Sequence, residues 1–528
     1  MPSTIKKVGA FITSKITRNY LYLFLIMIFA AIIRLSFLEN SINYPDSMHY
    51  AYSAECLLVY GRYAITVNGA FIPPQYPPGL PLIISVFYLL LGISEETAVL
   101  AVAFFGIIGI PLTYLFTKEL LKSKAAGLVS AVLLSVSPLH WLYSTTIMSD
   151  IVAMFFGAAA LYLLLKGDNT GKKRFFILSG LFLGYAVSIH LTCILFIAIA
   201  FVFQMYLEGF KFLKTFDFLL LAVSSFAVTI PYIGYTIWLY NTSNILVGYQ
   251  AWMGTGTFLS SFSINNVPTN FTFFLHVLYS NFMPFVNLPS EHYLFLPTFA
   301  SIFCLTGLIF LVYEKRWLEI TLLTTWIVAF FAFFLIFYVP DTRYLLPALP
   351  AFVILASYGL VRSYNILSTR IRTNQRLAIL HAFVIISIIV IALPSLVVGY
   401  CFVEPRHSQP SPSAIMAVWV RNNLPPTAII INGAAEYVIY YCQRYDIYGW
   451  TSININEAPY SELPLIFNYI SEGRQVYAIC DTVTQALWMS QWDELKNNIN
   501  LNFTFFSIIP ETNIIVYRVT NSLDSSQG

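Results

Sequence analysis

The sequence predicts a polytopic α-helical membrane protein with a small α/β domain at its C-terminal end, on three observations. Long apolar runs recur through the first 400 residues, the cations between them fall in alternate loops, and the composition turns mixed and polar after residue 401. Of 528 residues, 58% are hydrophobic and 10% charged, against roughly 25% charged in a soluble domain. A mean hydropathy of +0.72, with 45 Phe and 35 Tyr, fits lipid-facing helices; an outer-membrane barrel would show short alternating segments instead. A net charge of +3 and the lack of a basic run interleaved with aromatics give no ground for a nucleic-acid partner.

Apolar runs cover residues 20–38, 97–117, 125–147, 150–165, 175–189, 191–207, 216–240, 293–313, 317–338, 344–361 and 377–400, about eleven transmembrane helices. The first run is longer than a signal-peptide core and lacks a small-residue cleavage site, so it is expected to stay as an anchor. Cations gather at Lys6, Lys7, Lys15 and Arg18; Lys118, Lys122 and Lys124; Lys166, Lys172, Lys173 and Arg174; Lys211 and Lys214; Lys315 and Arg316; and Arg362, Arg370, Arg372 and Arg376. The positive-inside rule puts these loops in the cytoplasm. Before the C-terminal part, the opposite loops hold only Arg62 and Arg343, with Arg34 near the outer end of the first run. If the apolar segment 80–91 spanned, the Lys118 loop would fall outside, so that segment is expected to be interfacial or re-entrant. The expected organisation is a cytoplasmic N-terminus (1–19), a membrane domain (20–400) with outer loops 39–79 and 241–291, and an extracytoplasmic α/β domain (401–528), in the plasma membrane.

The boundary lies in the proline-rich stretch 404–412. Beyond it the pattern predicts helices over 414–424 and 434–444 and strands over 428–431, 476–479 and 513–518, enough for a core of its own. Six cysteines show no metal-binding spacing, and Cys442 with Cys480 form a candidate pair if the compartment is oxidising.

Three outer segments carry ionisable groups where few others occur. The first holds Asp46, His49, Arg62 and Tyr76 in a loop stiffened by five prolines; Asp46 precedes a predicted helix, where its carboxylate can cap the helix or face a cleft. Ser149-Asp150 stands where a second outer loop re-enters a helix, again as a cap or a site, and His190 lies at the same level between two apolar runs. In the third, Arg343 follows Asp341: a guanidinium binds phosphate oxygens in a bidentate fashion, and a local ion pair with Asp341 is the simpler alternative.

Together, Tyr44-Pro-Asp46 with Tyr50, Gln75-Tyr-Pro-Pro-Gly79, Ser149-Asp150 and Arg343-Tyr-Leu-Leu-Pro347 resemble the GT-C superfamily of polyprenyl-phosphate-sugar-dependent glycosyltransferases. Within it the chain resembles the family of protein O-mannosyltransferases and lipid A aminoarabinose transferases. The resemblance implies transfer of a hexosyl or pentosyl group from a lipid-phosphate carrier to an acceptor hydroxyl, with inversion. It implies Asp46 as catalytic base, Arg343, His190 and Tyr344 around the donor phosphate, and Asp150, His49, Tyr76 and Arg62 on the acceptor or supporting side. Metal dependence varies in the superfamily; no bound ion is predicted, and Asp46 with Asp150 is where one would sit. Ser47 stands where protein mannosyltransferases usually carry Glu, which points away from that subfamily. Implied partners are the polyprenyl-phosphate-linked sugar, membrane lipid, and a protein, lipid or glycan acceptor. The loop 241–291, with Trp252, is a candidate cover, and Asn241, Asn270 and Asn502 begin glycosylation sequons. A transporter or flippase of lipid-linked sugars would show inverted repeats and midplane charges, which the sequence lacks. A non-catalytic glycan-binding relative would have no need of Asp46, Asp150 and Arg343 together.

Overall fold

The computed structural model describes residues 15–241, 247, 261–280, 295–370, 374–444, 450–454, 459–480 and 500–521. Helix α1 (Lys15–Leu35) turns Phe24, Leu25 and Ile32 outward, the arrangement expected when the surroundings are hydrocarbon. After it come α2 (Pro45–Tyr60), the strands β1 (Ile65–Val67) and β2 (Ala70–Ile72), and α3 (Gly79–Leu91). The β1–β2 hairpin turns at Asn68 and Gly69, both at positive φ, the backbone that a two-residue turn requires. The Asn-Gly dipeptide signals this hairpin, which the expectation of a plain proline-rich loop does not include. Helix α3 has 13 residues, too few to span, and exposes Leu89, Leu90 and Leu91 at its end.

The membrane helices continue with α4 (Glu95–Leu121), α5 (Lys124–Ser135), α6 (Pro138–Ser144), α7 (Asp150–Thr170), α8 (Lys173–Ile189), α9 (Ile194–Glu208), α10 (Phe216–Tyr240), α11 (Val267–Ser280), α12 (Ala300–Tyr313), α13 (Trp317–Leu335), α14 (Leu349–Arg370) and α15 (Asn374–Ser408). Among the described residues, eight segments are long and apolar enough to cross a bilayer, or nine if α5 and α6, bent by 61°, form one span. Pro138 causes the bend by pushing Ser137 into extended backbone. The other two expected runs correspond to α8 and α12, of 17 and 14 residues. Close helix contact relies on missing side chains: a Cβ on Gly307 of α12 would strike Leu355 O of α14, and one on Gly359 would strike Phe303 O.

Helix α15 runs through Pro405 to Ser408 instead of stopping near residue 400. A proline removes one helical hydrogen bond, and this turn is held from outside: Asn40 N–H donates to Arg406 O, and His407 Nδ1 donates to Leu38 O. The α/β part opens with α16 (Pro412–Asn423) and builds a five-stranded sheet from β3 (Ile429–Asn432), β4 (Thr451–Asn454), β5 (Val476–Cys480), β6 (Leu501–Ile508) and β7 (Ile515–Asn521), in the order β4-β3-β5-β7-β6. Strand β3 is parallel to β4 and β5, and β7 is antiparallel to β5 and β6. The expected helix over 434–444 is a short α-turn, α17 (Ala435–Val438), widening into the π-turn Ile439–Gln443. Helix α18 (Pro459–Ser471) covers one face of the sheet. Cys442 and Cys480 form no disulfide with each other: they pack in separate hydrophobic clusters, Cys480 with the sheet face under α18 and Cys442 in the core shared with α16.

The α/β part is docked on the segment between α1 and α3. Asn68 N–H donates to Gln443 Oε1 at 3.0 Å, and Asn68 Oδ1 accepts from Gln443 Nε2 and Ser452 N–H. Ser411 N–H donates to Ser41 Oγ, and its own hydroxyl donates to Ile42 O.

Candidate active site

Proline suits the first position of a helix, and α2 begins at Pro45. Tyr44 holds the cap position without a side-chain cap bond, so Asp46 is one residue inside and its carboxylate does not cap the helix. It meets instead the 3₁₀ turn Thr342–Ala348, where Arg343 Nη1 donates to Asp46 Oδ2 at 3.0 Å. Asp341 caps that turn by accepting Arg343 N–H at 2.9 Å, and its Oδ2 lies 3.0 Å from Arg343 Nε. The local ion pair and the long-range one coexist on one guanidinium. The side chains of Asp46 and Arg343 keep 22% and 18% of their surface, enough for a ligand to reach both.

Burial alone would raise the Asp46 carboxyl, but the Arg343 charge, hydrogen bonds from Tyr76 and Arg343, and His49 together hold it below its usual value. It is therefore ionised at neutral pH. Tyr76 stacks on Tyr50 with ring centres 5.0 Å apart, meets His49 edge-on and lies over His190 at 6.4 Å. Tyr50 donates its hydroxyl to Ser149 Oγ at 2.9 Å, so Ser149, which occupies the cap position of α7, makes no side-chain cap bond there. Asp150 is buried at the start of α7, within electrostatic reach of Arg343, Asp341 and Asp46. His190 Nδ1 accepts from Thr192 N–H, which leaves Nε2 to carry the ring proton. Burial, helped by Arg343, pushes this imidazole down to about 4, so it is neutral at pH 7 and offers a hydrogen bond rather than a charge. Tyr344 stacks flat on Phe334 at 4.5 Å with the Arg343 guanidinium over its ring.

The structure thus gathers Asp46, His49, Tyr76, Asp150, His190, Arg343 and Tyr344 into one cluster. Arg62 stands apart: it is exposed, with its guanidinium over the Phe71 ring in the hairpin. Two residues that sequence reasoning leaves out support the site. Arg406 lies 4.9 Å over the Tyr44 ring, and its signal is a cation inside the proline-rich boundary stretch 404–412. Glu39, fully buried, accepts Ile147 N–H at 2.7 Å and Asn43 Nδ2 at 2.9 Å, so it fixes the loop that leads to Ser149 and Asp150.

The Asp46 and Asp341 carboxylates already share Arg343, and no three His, Cys, Asp or Glu side chains converge on one point among the described residues. Trp252 and most of the loop 241–291 lie outside the described residues. Within the described part, Asn270 is buried and its amide donates to Phe334 O, Leu335 O and Phe337 O, so this sequon clamps the end of α13 and is not open to a glycan.

Residues 75–235 match the family model described as dolichyl-phosphate-mannose-protein mannosyltransferase. No curated protein is significantly similar in sequence. Among solved structures, ArnT from Cupriavidus metallidurans bound to undecaprenyl phosphate is similar with a TM-score of 0.64 at 13% identity, over 96% of this chain and 98% of that one. The oligosaccharyltransferase AglB from Archaeoglobus fulgidus, in complex with an inhibitory peptide and a dolichol-phosphate, is similar at 0.60 and 14% identity, over 95% of this chain and 74% of that one. The mycobacterial arabinofuranosyltransferase AftD gives 0.51 at 11% identity, over 94% of this chain and 40% of that one. The chain has the multi-pass fold of these GT-C glycosyltransferases.

Proposed function

We propose that this protein transfers a sugar from a polyprenyl-phosphate carrier to an acceptor hydroxyl at the outer face of the plasma membrane, with its N-terminus in the cytoplasm and its α/β part outside. The observation that carries the reading is the Asp46–Arg343 contact: an ionised carboxylate and a guanidinium, 297 residues apart in sequence, meet where both side chains keep part of their surface exposed. A lipid-linked donor needs this placement, because its isoprenoid tail stays in the bilayer while its phosphate and sugar reach water.

Arg343 binds the donor phosphate, which competes with Asp46 for the guanidinium and frees the carboxylate to face the acceptor. Asp46 takes the acceptor hydroxyl proton as that oxygen bonds to the anomeric carbon from the side opposite the phosphate. The anomeric C–O bond to phosphate breaks, the electron pair leaves with the phosphate, and Arg343 stabilises the added charge. His190 Nε2–H donates to a phosphate oxygen, Tyr344 props the guanidinium, and Asp150 orients the acceptor side with Tyr76 and His49. No metal is needed for this scheme.

The test is sugar transfer by the protein in lipid nanodiscs from a panel of polyprenyl-phosphate sugars, wild type against Asp46→Asn at matched amounts. Loss of a positioned base lowers rates by about 10²–10⁴-fold, and that is the expected drop. Equal rates would remove Asp46 from the chemistry.

A further inference from the structure

A cleft of about 470 Å³ opens between the segment that joins α1 to α4 and the α/β part. Its walls come from four parts of the chain: Asn40 after α1, Glu95 at the start of α4, Trp419 and Asn422 on α16, and Glu511 in the β6–β7 turn. Tyr441 fixes the floor by donating to Glu95 Oε2 while accepting Ile42 N–H. Trp419 is only partly buried, and its indole N–H has no partner among the described residues. The side chains of Asn422 and Glu511 are likewise exposed and unengaged among the described residues.

These groups match one ligand chemistry. An indole face packs against the apolar C–H face of a sugar ring, an amide both donates to and accepts from hydroxyls, and a carboxylate accepts from them. The volume falls in the range of small-ligand sites, roughly 300–1,000 Å³. Two carboxylates line the cleft and no cation does, so an anionic ligand is repelled. That is the opposite sign of charge to the one Arg343 offers a phosphate. Asn40 is joined to Asp46 by a segment that can extend at most about 20 Å, a span that a short glycan can bridge.

We propose that this cleft is an acceptor subsite for an uncharged, hydroxyl-rich oligosaccharide whose growing end reaches Asp46. The proposal rests on the transferase reading and narrows its acceptor to a neutral glycan. The protein sorts its substrates by charge: the phosphate-bearing donor goes to Arg343 and the neutral acceptor to Trp419.

The experiment uses the full chain in nanodiscs and a panel of neutral hexose and pentose oligosaccharides of two to six units, with sulfated oligosaccharides of the same lengths as anionic probes. Binding is measured by titration calorimetry, transfer by acceptor kinetics, and donor hydrolysis without acceptor reports the chemistry alone. The expected result is binding of a neutral oligosaccharide that weakens at least tenfold in Trp419→Ala, recovers in Trp419→Phe and weakens less in Asn422→Ala. The acceptor KM should rise by the same factors, with kcat and donor hydrolysis unchanged. Unchanged KM in both alanine variants, no neutral oligosaccharide bound by wild type, or preferred binding of the sulfated probes would each overturn the subsite. Glycan binding that depends on Trp419 in a protein that neither hydrolyses nor transfers any donor would support the subsite and overturn the transferase reading.

Discussion

Two arginines lie at helix ends, Arg34 in the last turn of α1 and Arg343 in the turn before α14, and they are wired differently. Arg34, fully buried at the end of α1, donates to Ala30 O, to Ser135 O from both Nη atoms, and to His140 Nδ1 at 2.7 Å, all neutral acceptors. Ser135 closes α5, so the cation also sits at the negative end of that helix and fills a carbonyl the bend leaves without an intrahelical partner. Arg343 instead pairs with Asp46 and Asp341, and all three side chains keep part of their surface exposed. An arginine tied to carbonyls holds structure, because nothing that arrives can take their place. One tied to carboxylates at a solvent edge can exchange them for a phosphate.

The largest effect that this contrast predicts is on rate. Arg343→Ala should lower kcat/KM for transfer by about 10²–10³-fold, the usual cost of losing a donor that stabilises developing negative charge. It should also move the pH profile. Without Arg343, burial dominates at Asp46 and raises its carboxyl, so the acid limb of the rate shifts to higher pH than in wild type. A slower enzyme with an unmoved acid limb would separate Arg343 from Asp46 and break the pairing. For Arg34→Met the outcome should reverse: rate per folded molecule is retained, and stability drops by about 1–3 kcal/mol as Ser135 O and His140 lose their donor, measured by denaturation in detergent. A variant of Arg34 that stayed stable and stopped transferring would erase the distinction between the two arginines.

The sequence marks both arginines as cations where few exist and assigns only Arg343, by resemblance, to a phosphate; it says nothing of what holds Arg34. The difference depends on partners 100 or more residues away: Ser135 and His140 for one, Asp46 for the other. The membrane helices were legible because a run of about 20 apolar residues has few other uses, and the alternating cations accounted for 80–91 as a segment that does not span. Strands β4 and β6 were not. Thr451-Ser-Ile-Asn454 holds a single apolar residue and gets its place in the sheet by pairing with β3, a tertiary effect. The β1–β2 hairpin is legible in Asn68-Gly69, the dipeptide that a two-residue turn at positive φ favours. Seven of the eight proposed site residues converge; Arg62 does not, because the hairpin carries it away onto Phe71.

The same contrast applies to the acids, with a smaller effect. Asp46 faces a guanidinium and stays ionised, whereas Glu39 is enclosed and takes its bonds from Ile147 N–H and Asn43. Burial lifts its carboxyl to about 7, against the partial opposition of those two bonds and Arg406. An unfolded glutamate titrates near 4.5. Between these values the folded protein holds a proton that the unfolded chain has lost, so stability falls as pH rises, by about 1.4 kcal/mol per pH unit, and levels off above 7. Glu39→Gln cannot titrate and keeps an acceptor oxygen for Ile147 N–H, so its melting temperature should stay flatter from pH 5 to 8 while that of wild type declines. Parallel curves would mean that Glu39 is charged in the folded protein, with Arg406 as its counter-ion. Arg406 would then join Arg343 as an arginine balanced by an acid, and its stacking on Tyr44, two residues before Asp46, would tie that ion pair to the position of the base.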